Sequence, residues 1–253
     1  MASLAVNTHA VPLGMRVYAI GDIHGRLDLL DQLLEMITAD AAAAEPGGRA
    51  ILIFLGDYID RGPDSRGVIE RLLTGLPDAF EPIFLRGNHE EMLLRTLESS
   101  RNFELWAING GLATARSYGI DIGNRISAYE IDPSEVTRQL KKAMPESHYE
   151  FLRQLPIAVE LGDYLFVHAG VRPGLALDAQ AFDDCLFIRD EFLDYRGDFG
   201  KIIVHGHTPM RAPDLQSNRI GIDTGAFFTG RLTALCLEGT SRRFLITAGR
   251  REH

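Results

Sequence analysis

The sequence contains only two cysteines, an excess of acidic over basic residues and no long apolar run, and each feature excludes a class of protein. Cys185 and Cys236 cannot supply the disulfide framework of a small secreted domain, so we expect two buried apolar residues in a reducing, cytoplasmic setting. The formal net charge of −9 disfavours non-specific nucleic-acid binding, which depends on Lys and Arg neutralising phosphates. No apolar stretch approaches the roughly 20 residues that cross a membrane.

The length and the ordinary composition favour one globular domain. The chain has 253 residues, of which 45% are hydrophobic and 24% charged, as is typical of a globular protein with a substantial core. Its N-terminal residues lack the basic and long apolar regions of a signal peptide. We therefore predict a single domain over residues 14–249 and a disordered lead-in over residues 1–13.

The first part of the chain alternates between strand and helix patterns. Residues 16–20, 50–55 and 81–86 form three predicted strands. Helical patterns begin near Leu27 and Pro63, between these strands. This alternation predicts parallel strands that are connected by helices.

The pattern then changes twice. Residues 100–155 are mostly helical and predict a helical insertion, and the chain after them is mainly strand-forming, with a hairpin turn at Gly162 and Asp163. The predicted strands of this second part lie near residues 156–161, 164–169, 201–205, 219–223, 231–237 and 243–247. The fold class is therefore α/β, a sandwich of mixed β-sheets flanked by helices.

Polar clusters follow five of the predicted strands. Ligands of α/β folds bind at the carboxyl ends of strands, so we expect these clusters to meet. A glycine next to each cluster allows the backbone to turn sharply and to approach a ligand closely. In chain order the clusters contain Asp22 and His24; Asp57, Asp60 and Arg61; Arg86, Asn88, His89 and Glu90; His168; and His205 and His207.

The residue types in these clusters indicate a metal-dependent reaction on phosphate. Carboxylate, imidazole and amide groups together suit a borderline-to-hard divalent ion, and the lack of cysteine disfavours a structural zinc site. The candidate ligands exceed the needs of one ion, whereas two ions that share a carboxylate would use them all. Two metals about 3.5–4 Å apart can clamp an in-line displacement, and neighbouring arginines match phosphate geometry. The pattern predicts hydrolysis of a phosphate ester.

The ordered motifs resemble the signature of a known family. They are GDIHG at 21–25, GDYIDRG at 56–62, RGNHE at 86–90, HAG at 168–170 and HGHTP at 205–209. Together they resemble the phosphoprotein phosphatase family of calcineurin-like metallophosphoesterases, and most closely its bacterial branch, which includes the phage lambda serine/threonine phosphatase. The resemblance extends from about residue 16 to residue 237.

The resemblance implies a set of metal ligands. It assigns Asp22 and His24 to the first metal and makes Asp57 the bridge between both metals. The ligands that complete the second metal are Asn88, His168 and His207. Manganese is the metal implied by the bacterial branch, although iron and zinc fit the same ligands. His205 is either a further ligand or a residue just outside the ligand shell.

The resemblance also implies catalytic and phosphate-binding roles. His89 matches the general acid that protonates the leaving alkoxide, and Asp60 matches the carboxylate that orients it. Arg61 and Arg189 match phosphate-binding arginines. Arg86 matches a third phosphate-binding arginine or is structural.

The motifs and the resemblance leave three candidate functions. The first is a serine/threonine protein phosphatase in which a metal-bound water attacks phosphorus directly. The second is hydrolysis of a dinucleoside polyphosphate such as diadenosine tetraphosphate at the same site. Asp60 favours the first, because diadenosine tetraphosphatases of this type usually lack the second Asp of GDxxDRG. The third, a degenerate domain that only binds partners, is disfavoured because no ligand is missing.

Residues beside and outside the clusters receive ordinary structural interpretations. Glu90 and Glu91 follow His89 and are interpreted as favourable charges at the positive end of a helix. His9, His148 and His253 are predicted to lie on the surface.

Overall fold

The computed structural model describes residues 9–43, 48–122 and 131–248, which form two five-stranded sheets and ten α-helices within these ranges. The strands are β1 Met15–Ile20, β2 Arg49–Phe54, β3 Phe80–Phe84, β4 Ala158–Leu161, β5 Tyr164–Val167, β6 Ile202–His205, β7 Asp214–Leu215, β8 Arg219–Gly221, β9 Thr233–Glu238 and β10 Ser241–Ile246. The helices are α1 Leu27–Ala42, α2 Ser65–Thr74, α3 Asn88–Glu98, α4 Phe103–Trp106, α5 Leu112–Ser117, α6 Pro133–Ala143, α7 Glu146–Gln154, α8 Phe182–Phe187, α9 Asp190–Leu193 and α10 Ala226–Thr229.

Both sheets mix parallel and antiparallel pairs. The first has the order β10-β9-β1-β2-β3, with β1, β2 and β3 parallel and β9 antiparallel to β1. The second has the order β4-β5-β6-β8-β7, with β5, β6 and β8 parallel and both edge strands antiparallel. The predicted α/β fold with two mixed sheets is confirmed. The two-residue strand β7 is an addition that the sequence pattern does not indicate.

Alternation along the strands creates three apolar layers. Val17 of β1 and Phe166 of β5 point between the sheets and form the central core. Tyr18 of β1 points to the opposite face, where α1, α2 and the helical insertion cover the first sheet. Val167 of β5 points away from the first sheet and packs against Phe192 beneath the α8–α9 segment. Each sheet is therefore buried on both faces, and the loops at the strand ends are left to form a site.

The helical insertion is confirmed over the described residues. Helices α4 to α7 lie between β3 and β4, and residues 123–130 fall outside the described ranges. The predicted surface position of His148 on α7 is wrong, because this side chain is 1% exposed. Its Nδ1 lies 2.8 Å from the hydroxyl of Tyr118, and its Nε2 lies 3.0 Å from Glu70 of α2. A histidine with hydrogen bonds at both ring nitrogens can be buried at low cost.

Part of the predicted disordered lead-in is bound to the sandwich. Ala10 donates its N–H to the carboxylate of Asp163, and Val11 donates to the carbonyl of Gly239. Val11 is 2% exposed and belongs to the core between the sheets. The disorder prediction is therefore corrected for these residues, whereas residues 1–8 lie outside the described ranges. The single-domain boundaries stay a prediction.

No helix within the described ranges is both long enough and apolar enough to span a membrane.

Candidate active site

The polar clusters meet at one edge of the sandwich, as predicted. His24, Asp57 and Asn88 follow the parallel strands β1, β2 and β3, while His168 and His207 follow β5 and β6 of the other sheet. The carboxyl ends of all five strands face the same edge. All five side chains are buried.

Two groups of potential metal ligands share one carboxylate. His24, Asp57 and His89 form the first group, and Asp57, His168 and His207 form the second. Within each group the ligand atoms lie within 4.8 Å of one another. One oxygen of Asp57, Oδ2, lies 3.5 Å from His24 Nε2, and the other, Oδ1, lies 3.4 Å from His168 Nε2. This geometry suits a carboxylate that bridges two cations.

The tautomers of two histidines indicate that cations belong between these groups. His24 Nδ1 lies 2.9 Å from the carbonyl oxygen of Ile59, and His168 Nδ1 lies 2.9 Å from that of Leu55. A carbonyl only accepts, so each Nδ1 carries a hydrogen, and because burial lowers the pKa of both rings, each is neutral and its Nε2 presents a lone pair. The lone pair of His168 faces Asn88 Oδ1 at 2.9 Å and Asp57 Oδ1 at 3.4 Å. Converging acceptors without a proton fit a divalent ion.

Asn88 contacts His207 of this second group, and Asp22 lies at the margin of the group. Asn88 Oδ1 is 2.8 Å from His207 Nδ1, and His207 Nε2 is buried without a hydrogen-bond partner among the described residues. Burial lowers the pKa of His207 to about 2, so it is a neutral potential ligand. The carboxylate of Asp22 accepts the N–H of His207 at 3.0 Å and belongs to neither three-residue group. Burial and the nearby carboxylates of Asp223 and Asp57 raise the pKa of Asp22, so its ionised form is unfavourable there. A bound cation would offset this unfavourable electrostatic energy.

Strained backbone is concentrated in the candidate site. Among the described residues, positive φ angles at non-glycine positions occur at His24, Asp57, Asp60, Arg61 and His207, with values from 47° to 71°. The left-handed region costs such residues about 1–3 kcal/mol each and persists where the surroundings impose it, commonly at functional sites. The neighbouring glycines Gly25 and Gly56 also have positive φ, as expected, so glycines and site residues make the sharp turns together.

His89 and Asp60 form a buried pair next to the ligands. His89 Nδ1 lies 2.7 Å from Asp60 Oδ2, and His89 Nε2 lies 3.8 Å from Asp57 Oδ2. The other oxygen of Asp60 accepts from the indole of Trp106 at 3.1 Å and from the hydroxyl of Thr114 at 2.6 Å. Asp60 is thereby fixed by the helical insertion and in turn fixes the His89 ring.

The charges around His89 favour its protonated form. Burial opposes protonation, but the charge of Asp57 and the hydrogen bond that His89 donates to Asp60 together raise the pKa of His89 above its ordinary value. Burial would raise the pKa of Asp57, yet the positive charge of the protonated His89 ring helps to hold that pKa well below its usual range. The site therefore places an imidazole that favours its protonated form beside the ionised carboxylate of Asp57.

Two of the three predicted phosphate-binding arginines lie at the cluster. Arg61 Nη1 lies 2.8 Å from His24 Nε2, and Arg189, which is exposed, donates to the Thr208 hydroxyl beside His207 at 3.4 Å. The structure does not bring Arg86 to the ligands. Its guanidinium donates to Glu91 at 2.9 Å and to the carbonyl of Arg153 at 2.7 Å, which favours the structural interpretation.

His205 does not join the ligand cluster, so its predicted place in or next to the ligand shell is corrected. Strand β6 ends at His205, which shares the outer face of Ile203 and packs its ring 4.9 Å from that of Phe192. His207 lies beyond the strand, and its φ of 64° turns its side chain toward Asn88. The rule that residues two apart share a face holds only within a strand.

Several residues of the site carry no recognisable signal in the sequence. Trp106 and Thr114 come from the helical insertion, and their contacts to Asp60 join positions that are 46 and 54 residues apart. Glu90 is fully buried and accepts backbone N–H groups from the loop of Asp57. The sequence analysis interprets Glu90 as a helix-end charge and does not predict these contacts. The RGNHE motif marks its position but not its partners.

Comparison with known proteins identifies the family. The family model of the calcineurin-like phosphoesterases matches residues 15–221. The chain is 30% identical over 235 residues to a bis(5'-nucleosyl)-tetraphosphatase PrpE of Anoxybacillus flavithermus, covering 85% of this chain and 88% of that protein. It is also 30% identical over 226 residues to serine/threonine-protein phosphatase 1 of Salmonella typhimurium, covering 86% of this chain and 89% of that protein.

A solved structure shares the fold over almost the whole chain. It is provisionally assigned as a diadenosine tetraphosphatase, with a TM-score of 0.63 and 22% identity over 96% of this chain and 99% of that one. Fold, site and family model together define a metal-dependent phosphoesterase. The chain belongs to the calcineurin-like phosphoesterase family and is a phosphoester hydrolase, as the resemblance predicted.

Proposed function

We propose that this chain is a serine/threonine protein phosphatase with two metal ions bridged by Asp57. The observation that carries this proposal is the 2.7 Å contact between His89 Nδ1 and Asp60 Oδ2. An alkoxide of serine or threonine is a poor leaving group and must be protonated as it departs. A polyphosphate leaving group is far less basic and needs little protonation. A protonated imidazole fixed by a buried carboxylate therefore suits the alkyl phosphate better.

The remaining residues have roles consistent with this reaction. Arg61 and Arg189 would bind the phosphoryl oxygens through their guanidinium groups. Asp22, His24, Asp57, Asn88, His168 and His207 would hold two divalent ions, for which manganese is our proposal. When bound, the ions would activate a water for direct attack on phosphorus and stabilise the developing charge. His89 Nε2, which has no hydrogen-bond partner among the described residues, would deliver the proton.

Hydrolysis of a dinucleoside polyphosphate is the second candidate. One relative named as a tetraphosphatase and another named as a protein phosphatase each match at 30% identity. Their names therefore do not identify the substrate of this chain. The specific observation for the nucleotide is an aromatic pair next to Arg61. The ring of Phe227 lies 5.0 Å from the Arg61 guanidinium, and Phe228, which is 60% exposed, lies 4.9 Å from Phe227. Aromatic faces beside a phosphate-binding arginine suit a nucleobase.

The test is a comparison of kcat/KM for three substrates with manganese added. They are a phosphoserine peptide, diadenosine tetraphosphate and an aryl phosphate. The proposal predicts that the peptide gives a higher kcat/KM than the dinucleotide. A clear preference for the dinucleotide would replace the proposed function by the second candidate. Turnover of the aryl phosphate serves as the control that the enzyme is loaded with metal.

A further inference from the structure

Glu90 connects the two loops that carry the central residues of the site. This side chain is 0% exposed. Its Oε2 accepts the N–H of Asp57 and the N–H of Gly87, both at 2.8 Å, and its Oε1 accepts the N–H of Tyr58 at 2.8 Å. One carboxylate thus receives three backbone donors from the loop after β2 and the loop after β3.

These loops cross at backbone contact. A Cβ atom at Gly56 would lie 2.4 Å from the nitrogen of Gly87, and one at Gly87 would lie 2.2 Å from Oδ1 of Asp57. The crossing places the N–H of His89 at 3.1 Å from the same oxygen of Asp57. Asp57 also has a left-handed φ of 53°, which the surroundings must impose. A small change in the crossing would therefore move Asp57 relative to Asn88 and His89.

A favourable charge at the start of α3 does not account for this arrangement. Glu91 occupies the same first turn of α3, yet its carboxylate binds Arg86 at 2.9 Å and Arg95 at 2.7 Å. Both glutamates would interact similarly with the positive helix end. Only Glu90 bonds to the backbone of the Asp57 loop. The pair therefore offers a matched comparison of the two explanations.

We propose that Glu90 is a positioning residue that fastens the two loops together and so sets the distance between Asp57 and the metal ligand Asn88. The inference rests on the proposed two-metal site. The carboxylate is required because all three partners are N–H donors, which need acceptor oxygens at both positions. Glutamine has the same shape, but its amide nitrogen would face a donor in either orientation.

The experiment titrates metal-free protein with manganese alone in a calorimeter, without substrate. Glu90→Gln is expected to weaken manganese binding by about 10- to 100-fold, the usual effect of removing a group that orients a ligand. Glu91→Gln is expected to bind manganese as the unchanged protein does. Equal losses in the two variants would indicate a helix-end charge and overturn the proposal, as would unchanged binding by Glu90→Gln.

A second variant covers the case in which Glu90→Gln does not fold. Glu90→Asp keeps the charge but is one methylene too short to reach both loops, so it is expected to weaken manganese binding as well. Unchanged binding by folded Glu90→Asp would then overturn the proposal. The unchanged protein reports separately on the proposed function, because binding of fewer than two ions would contradict the two-metal site whatever the variants do.

Discussion

His89 Nδ1 lies 2.7 Å from Asp60 Oδ2, and the second oxygen of Asp60 is bound by Trp106 and Thr114 of the helical insertion. The candidate acid is therefore oriented by Asp60, which is itself held by residues from a different part of the chain than the candidate metal ligands. Within one buried site, different segments of the chain would therefore hold the ions and hold the proton donor. The clusters at the strand ends would hold the ions, and the insertion would hold the proton donor in place.

Replacing His89 tests its role as the proton donor. His89→Asn is expected to lower kcat for an alkyl phosphate by about 10²- to 10⁴-fold, the usual contribution of general acid catalysis. The loss for an aryl phosphate is expected to be much smaller, because that leaving group needs little protonation. Parallel assays on both substrates, with metal content measured in the same preparations, check this. An equal loss on both substrates would remove His89 from the role of acid.

Replacing Asp60 tests whether this residue keeps His89 protonated. The hydrogen bond that His89 donates to Asp60 contributes to the raised pKa of His89, and the protonated form of His89 is lost as pH rises through that pKa. Asp60→Asn removes the contribution, so the alkaline decline of kcat for an alkyl phosphate is expected to shift to lower pH. The bound metal is expected to stay the same. Loss of metal, or an unshifted pH profile, would show that Asp60 acts in another way.

The buried contact of His148 predicts an effect on stability. Tyr118→Phe removes the hydroxyl 2.8 Å from His148 Nδ1 and leaves a buried polar atom without its partner. The free energy of unfolding is expected to fall by about 1–3 kcal/mol, as measured by urea denaturation. Glu70→Gln is the control at the other ring nitrogen. The side chain of Glu70 is 61% exposed, so we expect a loss below about 1 kcal/mol. Equal effects of the two variants would contradict this account.

The fold and the positions of the site residues could be predicted because both depend on local patterns. Apolar runs of strand length, the helical period from Leu27 and polar residues after each strand place the clusters at one edge of the sandwich. His24, Asp57, Asn88, His168 and His207 accordingly lie together.

The remaining features depend on contacts between distant segments or on local departures from ideal geometry. The predicted place of His205 in or next to the ligand shell is wrong because the strand ends at His205 and the left-handed residue His207 follows. The burial of His148 requires Tyr118 and Glu70 from other helices. The bonds of Glu90 require two loops to cross at their glycines. Sequence spacing contains none of this information.

The most direct test of the two-metal account is the number of manganese ions that bind to each chain. Metal-free protein is titrated with manganese, alongside Asp57→Asn and the control Asp183→Asn, whose side chain is 70% exposed and pairs with Arg95. We expect about two ions in the unchanged protein and in the control, because in the proposed site one carboxylate would bridge both ions. Asp57→Asn is expected to lose tight binding of both. A single ion in the unchanged protein, or two tightly bound ions in Asp57→Asn, would contradict the account.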